Sequence, residues 1–267
     1  MPSAFRADAF AGKTVFIAGA SSGINLGIAH GFARAGAKLA LISRTEDRIQ
    51  AAADGIAAAG GTAIGMAADV RDYAAVEAAL ARTRQELGPI DVVISGAAGN
   101  FLAPVVGMSA NAFKTVVDID LLGTFNVFRA SFDYLSKPGA SLIAITAPQG
   151  VNAMMFQAHA CAAKAGINML IKCLAMEWGP AGVRVNGISP GPIADTEGMA
   201  RLAPTPEAEA RYKARLALRD YGTKEDIADA AMYLSSDNAH FVTGTIFDCD
   251  GGSKLGDASA DALKPMR

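Results

Sequence analysis

Gly19-Ala20-Ser21-Ser22-Gly23-Ile24-Asn25-Leu26-Gly27 comes directly after a short apolar run, and a helical pattern begins inside it. A glycine-rich turn between a strand and a helix lets backbone N–H groups approach a pyrophosphate, and the helix dipole adds attraction. The residues so placed are Gly19, Ser21, Ser22, Gly23 and Ile24. In a chain with 28 glycines the spacing alone is weak, and the strand–turn–helix context is what separates it from an ordinary tight turn. The second apolar run ends Leu41-Ile42-Ser43-Arg44. An acid at this strand end would hold a ribose 2′-hydroxyl, whereas a guanidinium matches a 2′-phosphate bidentately. Ser43 and Arg44 therefore favour NADPH over NADH. Thr45 sits as an N-cap, which leaves Glu46 and Asp47 in a first helical turn, where they complement the dipole. Asp69-Val70, after the third run, is placed to contact an adenine, although Asp69 can equally cap the next helix.

Metal chemistry finds no support. Cys161, Cys173 and Cys249 are odd in number and irregular in spacing, and His30, His159 and His240 form no ligand pattern with them. Such cysteine usage suits a reducing compartment. A net charge of −2 offers no electrostatic case for nucleic acid or a membrane surface. The first ten residues hold no apolar run of a secretory signal, and no stretch reaches the roughly 18 apolar residues of a membrane span. Lys264-Pro265-Met266-Arg267 is not a receptor-read C-terminal address. The expectation is a cytoplasmic enzyme.

The elements that must position these residues alternate. Thr14–Ile17, Lys38–Ile42, Ala63–Met66, Asp91–Ile94, Ser141–Ile145, Arg184–Ile188 and Thr245–Phe247 read as strands. Ile24–Ala35, Glu46–Ala59, Tyr73–Leu87, Ala112–Leu135, Met154–Trp178 and Lys224–Leu234 read as helices. Alternation of this kind predicts an α/β fold with a mostly parallel sheet covered on both faces, and the unbroken apolar strands agree. With half its residues hydrophobic and no internal linker, the chain reads as one domain over residues 1–267, its core at about 12–252. Gly191–Leu218 reads as an excursion over the mouth of the site, and the tail after Lys254 as a polar surface extension.

Further motifs resemble the short-chain dehydrogenase/reductase family from about Gly12 to Gly252. Ala97-Ala98-Gly99 comes after the fourth strand, Pro190-Gly191-Pro192 after the sixth, and Asp248-Cys249-Asp250-Gly251-Gly252 at the last, while Lys164 matches the family's catalytic lysine. The resemblance implies a single-domain Rossmann fold, a doubly wound seven-stranded sheet, and cofactor contacts at Ala98, Gly99, Lys164, Pro190, Gly191, Ile193 and Thr196. The departures are as informative. The family's usual tetrad is Asn, Ser, Tyr and Lys, with Tyr four residues before Lys. Here those first three positions hold Asp120, Ala147 and Ala160, and none of the five tyrosines precedes a lysine by four. Ordinary carbonyl reduction needs a group that passes a proton to the alkoxide, so this is not an ordinary alcohol dehydrogenase.

One branch of the family is similar in these losses. Ala97–Leu102, Asn111–Thr115, Asp118-Ile119-Asp120, Gly123–Val127, Glu177–Pro180 and Gly191–Gly198 look like segments of 2,4-dienoyl-CoA reductases, above all the peroxisomal type. Two features differ: Asn25 stands where the family has its third loop glycine, and the peroxisomal C-terminal signal is absent. The resemblance implies hydride delivery from NADPH to C5 of a 2,4-dienoyl thioester and protonation at C2 to leave a 3-enoyl-CoA. By the same resemblance Asp120 handles the proton, through a water, and Lys164 holds the nicotinamide ribose and adds positive potential near the oxyanion. The plainer alternative for Asp120 is a helix-interior acid bonded to backbone or water.

Gln149 occupies the position of a tyrosine in mitochondrial-type relatives and can donate to a thioester oxygen without acting as an acid. Phe101, Ser109 and Asn111 fall where such enzymes line the acyl or CoA site, and Arg71 and Arg201 where they contact CoA phosphates. Either arginine can equally be a solvated surface charge. His159 can reach the pocket or serve as a structural histidine. Ala147 and Ala160 leave room for a flat conjugated chain. The implied partner is an acyl-CoA substrate, and the implied assembly a homotetramer with Ala112–Leu135 and Met154–Trp178 at an interface. Two other readings stay open: a keto- or hydroxy-compound oxidoreductase with its acid moved to Asp120 or His159, and a catalytically silent NADP(H) sensor.

Overall fold

The computed structural model describes residues 5–260. Seven strands form one sheet: β1 (Thr14–Ala18), β2 (Lys38–Ser43), β3 (Thr62–Ala67), β4 (Val92–Ser95), β5 (Ser141–Ile145), β6 (Arg184–Pro190) and β7 (Ile246–Cys249). Their order is β3-β2-β1-β4-β5-β6-β7, and every neighbouring pair is parallel, so the sheet is wholly rather than mostly parallel. The helices between them are α1 (Gly23–Arg34), α2 (Glu46–Ala58), α3 (Tyr73–Leu87), α4 (Ala110–Val117), α5 (Gly123–Ser131), α6 (Ala158–Trp178), α7 (Glu197–Leu202), α8 (Pro206–Arg215) and α9 (Lys224–Ser235).

The strands are apolar without alternation because both faces are buried. Side chains alternate across a strand, and here each set meets its own core. Val15, Ile17, Leu39, Leu41, Ile143 and Ile145 pack with Ile28 and Phe32 of α1, Ile49 and Ile56 of α2, and Ile227 and Ala231 of α9. Phe16, Ala18, Ala40, Ile42, Leu142 and Ala144 pack with Val76 and Leu80 of α3, Val127 and Phe128 of α5, and Ile167 and Ile171 of α6. Phe16, Phe32 and Phe128 are fully buried, each contributing about 1.5–3 kcal/mol on transfer from water.

Two elements depart from the sequence expectation. The helix expected over Ala112–Leu135 is interrupted by a π-turn at Asp118–Leu122, between α4 and α5. A π-turn widens the ladder to i→i+5 bonds and so rotates α5 relative to α4, and it leaves Asp120 1% exposed. The helix expected from Met154 begins only at Ala158. Phe156 adopts the left-handed region at φ 65°, and its carbonyl accepts from the Ala103 N–H at 3.0 Å, so residues 151–157 form a loop tied to the segment after β4. The polar segment after Lys254 is tied to α8 as far as residue 260: Arg215 pairs with Asp257 at 2.8 Å and the Ala258 N–H donates to the Arg215 carbonyl. Lys264–Arg267 lies outside the described residues. No helix among the described residues is long and apolar enough to cross a membrane.

Candidate active site

The strand order reverses at β1, between β2 and β4, and the carboxyl ends of these strands open into a cleft of about 590 Å³. Clefts at such switch points are where doubly wound sheets bind ligands. Gly19 turns the chain at φ +80°, and a Cβ there would lie 2.7 Å from the Ala97 amide nitrogen, so only glycine fits. Ser22 stands at the N-cap of α1 without a side-chain cap, leaving the first N–H groups of that helix available to an anion. At the end of β2, Ser43 and Arg44 line the cleft, and so does Arg48, one turn into α2. Arg44 and Arg48 form no ion pair among the described residues and can meet a phosphate. Glu46 and Asp47 lie in the first turn of α2, as expected, although Thr45 occupies the N-cap without a side-chain hydrogen bond.

Asp69 and Val70 line the same cleft. Asp69 does not cap α3; Asp72 does, accepting from the Ala75 N–H at 3.1 Å. Asp69 is instead gripped by its neighbour Arg71, whose Nε lies 3.0 and 3.1 Å from the two carboxylate oxygens. That hydrogen bonding holds the Asp69 carboxyl below its ordinary value, against the opposing effect of burial, with Arg44 adding a smaller pull.

On the far side of the cleft, Lys164 Nζ lies 3.1 Å from Asp120 Oδ2 and donates to the Ile145 carbonyl at 3.2 Å. The Gly99 N–H donates to Asp120 Oδ1 at 2.7 Å. Both oxygens of a buried carboxylate are thus engaged, and the pair is nearly dry, with side-chain exposures of 10% and 1%. Ala147 and Ala160 line the cleft beside it. At the mouth, Gln149 Nε2 and Asn100 Nδ2 both donate to Gln157 Oε1, at 3.1 and 2.7 Å. Each amide nitrogen keeps a second N–H. The arrangement can hold a dinucleotide along β1–β4 and set amide donors and a buried lysine–aspartate pair against a polar substrate group.

The family model described as enoyl-(acyl carrier protein) reductase matches residues 19–254. The chain belongs to the short-chain dehydrogenase/reductase family. It is similar to the peroxisomal (3E)-enoyl-CoA-producing 2,4-dienoyl-CoA reductase of Rattus norvegicus, 42% identical over 252 residues, which are 93% of this chain and 86% of the rat protein. The corresponding Saccharomyces cerevisiae enzyme is 40% identical over 252 residues, 93% of this chain and 86% of the yeast protein. Among solved structures, the citronellol catabolism dehydrogenase of Pseudomonas aeruginosa PAO1 superposes with TM-score 0.82 at 32% identity, covering 95% of this chain and 100% of that one. A short-chain type dehydrogenase/reductase of Mycobacterium ulcerans reaches 0.87 at 28% identity, covering 93% and 92%.

This short-chain dehydrogenase/reductase is therefore an oxidoreductase. Of the residues expected to meet cofactor, Gly19, Ser21, Ser22, Gly23, Ile24, Ser43, Arg44, Asp69, Val70, Ala98, Gly99, Lys164 and Thr196 line the cleft; Pro190, Gly191 and Ile193 do not. Gly191 is needed for packing, since a Cβ would lie 2.5 Å from the Asp250 Cα, and Ile193 is buried in the core. Thr196 also caps α7, accepting from the Met199 N–H.

The substrate-side expectations separate further. Gln149 lines the cleft, whereas Phe101, Ser109, Asn111, His159, Arg71 and Arg201 do not. Ser109 caps α4 through the Ala112 N–H at 3.1 Å, and Asn111 is exposed on that helix. Arg201 is paired with Glu197 one turn away on α7. His159 is fully buried with its ring 4.3 Å from that of Phe101, behind the cleft wall, and neither ring nitrogen makes a hydrogen bond of ordinary geometry. Burial pushes its imidazole below the ordinary value, outweighing the opposing influence of Asp120 and the Phe101 backbone. Sequence reasoning missed Arg48, which the four-residue spacing from Arg44 could have signalled, and Asn100 and Gln157, for which no local pattern exists. Among the described residues no group of histidine, cysteine and acidic side chains could hold a metal.

Proposed function

We infer that this chain is an NADPH-dependent reductase of conjugated acyl thioesters, converting 2,4-dienoyl-CoA to 3-enoyl-CoA. The observation that carries the inference is the buried Asp120–Lys164 pair flanked by Ala147 and Ala160, where the family's usual hydroxyl groups are replaced by methyls. The likeness to the rat and yeast dienoyl-CoA reductases supports the same substrate class. Arg44 and Arg48, paired with no acid among the described residues, support a 2′-phosphate and hence NADPH.

When bound, NADPH supplies a hydride to C5, and the electron pair released moves through the dienolate toward the thioester oxygen. The chain's own groups must hold that charge and return a proton to C2. Gln149, with its rotamer set by Gln157, can donate to the thioester oxygen but has no proton to lose. Lys164 would supply positive potential near the oxyanion and donate to the nicotinamide ribose. Asp120, whose oxygens meet the Gly99 N–H and Lys164 Nζ, is held rigidly in the cleft wall. In this reading it acts near C2, orienting a water that relays to C2 a proton drawn from solvent. An ionised carboxylate adjacent to the oxyanion would oppose the reaction.

A homotetramer belongs to the same proposal. Phe113, Leu122 and Phe125 near the π-turn, and Met169 and Met176 on α6, expose apolar surface on the two helical segments expected at an interface. The test of function is NADPH absorbance with a 2,4-dienoyl-CoA and, separately, with simple ketones. The proposal expects rapid oxidation with the thioester and negligible oxidation with ketones. Robust ketone reduction with an inert dienoyl-CoA would overturn it.

A further inference from the structure

Asn25, the third residue of α1, is 7% exposed and lies in the cleft wall. Its side-chain Nδ2 donates twice, to the Gly96 carbonyl at 2.8 Å and to the Gly19 carbonyl at 3.2 Å. Gly19 is the turn of the phosphate loop. Gly96 directly follows β4 and opens the segment that carries Gly99, whose N–H holds Asp120 at 2.7 Å. One amide thus fastens the loop facing the dinucleotide to the loop that fixes the carboxylate.

The space on the two sides is reciprocal. A Cβ added at Gly96 would lie 2.3 Å from Asn25 Oδ1 and 2.4 Å from Nδ2, so the asparagine fills the room a side chain at position 96 would need. Asn25 Oδ1 is buried with no hydrogen-bond partner. A residue selected only to fill space would not carry an orphaned acceptor, because an apolar side chain of similar volume fills the gap without that penalty. The polar group is accounted for by the two carbonyls that Nδ2 joins.

We propose that Asn25 is a positioning residue that locks the phosphate loop and the Asp120-holding loop in one register, and that Asn25 and Gly96 work as a single unit. The part concerning Asp120 rests on the function proposed above; the part concerning the cofactor loop does not. Asn25→Gly releases both carbonyls, Gly96→Asn drives a side chain into Asn25, and the double substitution presents the amide from the opposite loop.

The experiment measures NADPH affinity by fluorescence titration, thermal stability, and the pH profile of single-turnover NADPH oxidation with a 2,4-dienoyl-CoA. Asn25→Gly should weaken NADPH binding about tenfold and displace the pH profile, since coupled neighbours in one network typically show such interaction. Asn25→Asp keeps the shape and acceptor but lacks the N–H, and it should lose at least as much. The double variant should recover affinity and profile to within about threefold of the native protein, better than the product of the singles. If Asn25→Gly lowers Tm but leaves affinity and pH profile unchanged, the side chain is packing alone and the proposal fails. Multiplicative losses in the double variant would equally reject the paired unit. Should the native chain be inert toward dienoyl-CoA, the affinity arm still decides the latch, so the two failures are distinguishable.

Discussion

Between Gly19 and Val70 the cleft is made of strand ends and the first turns of helices; around Asn100, Gln149 and Gln157 its rim is made of loops that hold one another. On the first side, Gly19, Ser22, Ser43 and Arg44 stand where a strand stops and a helix starts, and their positions follow from the register of β1 and β2. On the second side, the segment after β4 and the segment before α6 meet through the Ala103–Phe156 backbone bond and the shared Gln157 carbonyl oxygen. A cofactor of constant shape can be met by a rigid sheet edge. Substrate groups are met by contacts between segments some fifty residues apart, and these tolerate substitution more readily because loops are less constrained by the core.

The sharpest break between the two sides is expected at Asp120. Asp120→Asn keeps shape but removes the carboxylate that orients the proton-carrying water. Turnover in single-turnover NADPH oxidation should fall by about 10²–10⁴, the usual cost of disrupting a positioned proton transfer, while NADPH affinity barely moves. Stability should also drop, since Lys164 is left buried beside a neutral partner. A near-native rate in this variant would return Asp120 to the role of a helix-interior acid. Lys164→Ala crosses the divide and should weaken both NADPH binding and turnover. Because the two residues act on one charge distribution, the double variant should be less than multiplicatively worse.

A change confined to the cofactor side comes next in size. Arg44→Ala should erase most of an NADPH preference of about tenfold or more, equivalent to about 1.4 kcal/mol. Arg48→Ala should take away a further portion, measured as dissociation constants for NADPH and NADH. Equal affinities for the two cofactors in the native protein would sink the assignment of both arginines.

Smaller effects belong to the substrate rim. Arg71 and Arg201 can grip CoA phosphates only by loosening Asp69 and Glu197. Replacing either with Ala should therefore raise KM about two- to fivefold, make it less salt-sensitive, and leave kcat nearly unchanged. No movement of KM would make both arginines surface charges and leave CoA recognition to other groups.

The smallest effect is in stability. Burial pushes the His159 imidazole down, so the unfolded chain takes up a proton near its ordinary value of about 6.5 that the folded chain resists. Stability is therefore fully present above that pH and declines as pH falls through it. His30 is lowered as well, chiefly by burial, so His159 supplies only part of the slope. His159→Phe should shrink the loss of Tm between about pH 7.5 and pH 5, as read by thermal melts at the two pH values. An unchanged slope would assign the acid sensitivity elsewhere.

The sequence by itself determined the α/β class, the number of strands, the glycine-rich strand–helix turn and the arginine at the end of β2. Strand periodicity, glycine at a strand–helix turn and the residue at a strand end are local, and their physics acts within a few residues. It also carried the family likeness and the loss of the tyrosine and serine, which are matters of residue identity. Tertiary structure alone decided the rest. The π-turn at Asp118–Leu122 has no periodic signature, because one displaced residue in a long helix leaves the apolar pattern nearly intact, yet it seats Asp120 against Lys164 and Gly99. Arg71, Arg201 and Ser109 carry the right chemistry for a ligand and also bond neighbours two to four residues away, a pairing that composition does not reveal. Asn25 stands where the family has a loop glycine, and the glycine at 96, seventy-one residues on, is what leaves room for it. Such pairings are fixed by how the strands are ordered in space, and only the folded chain brings their members together.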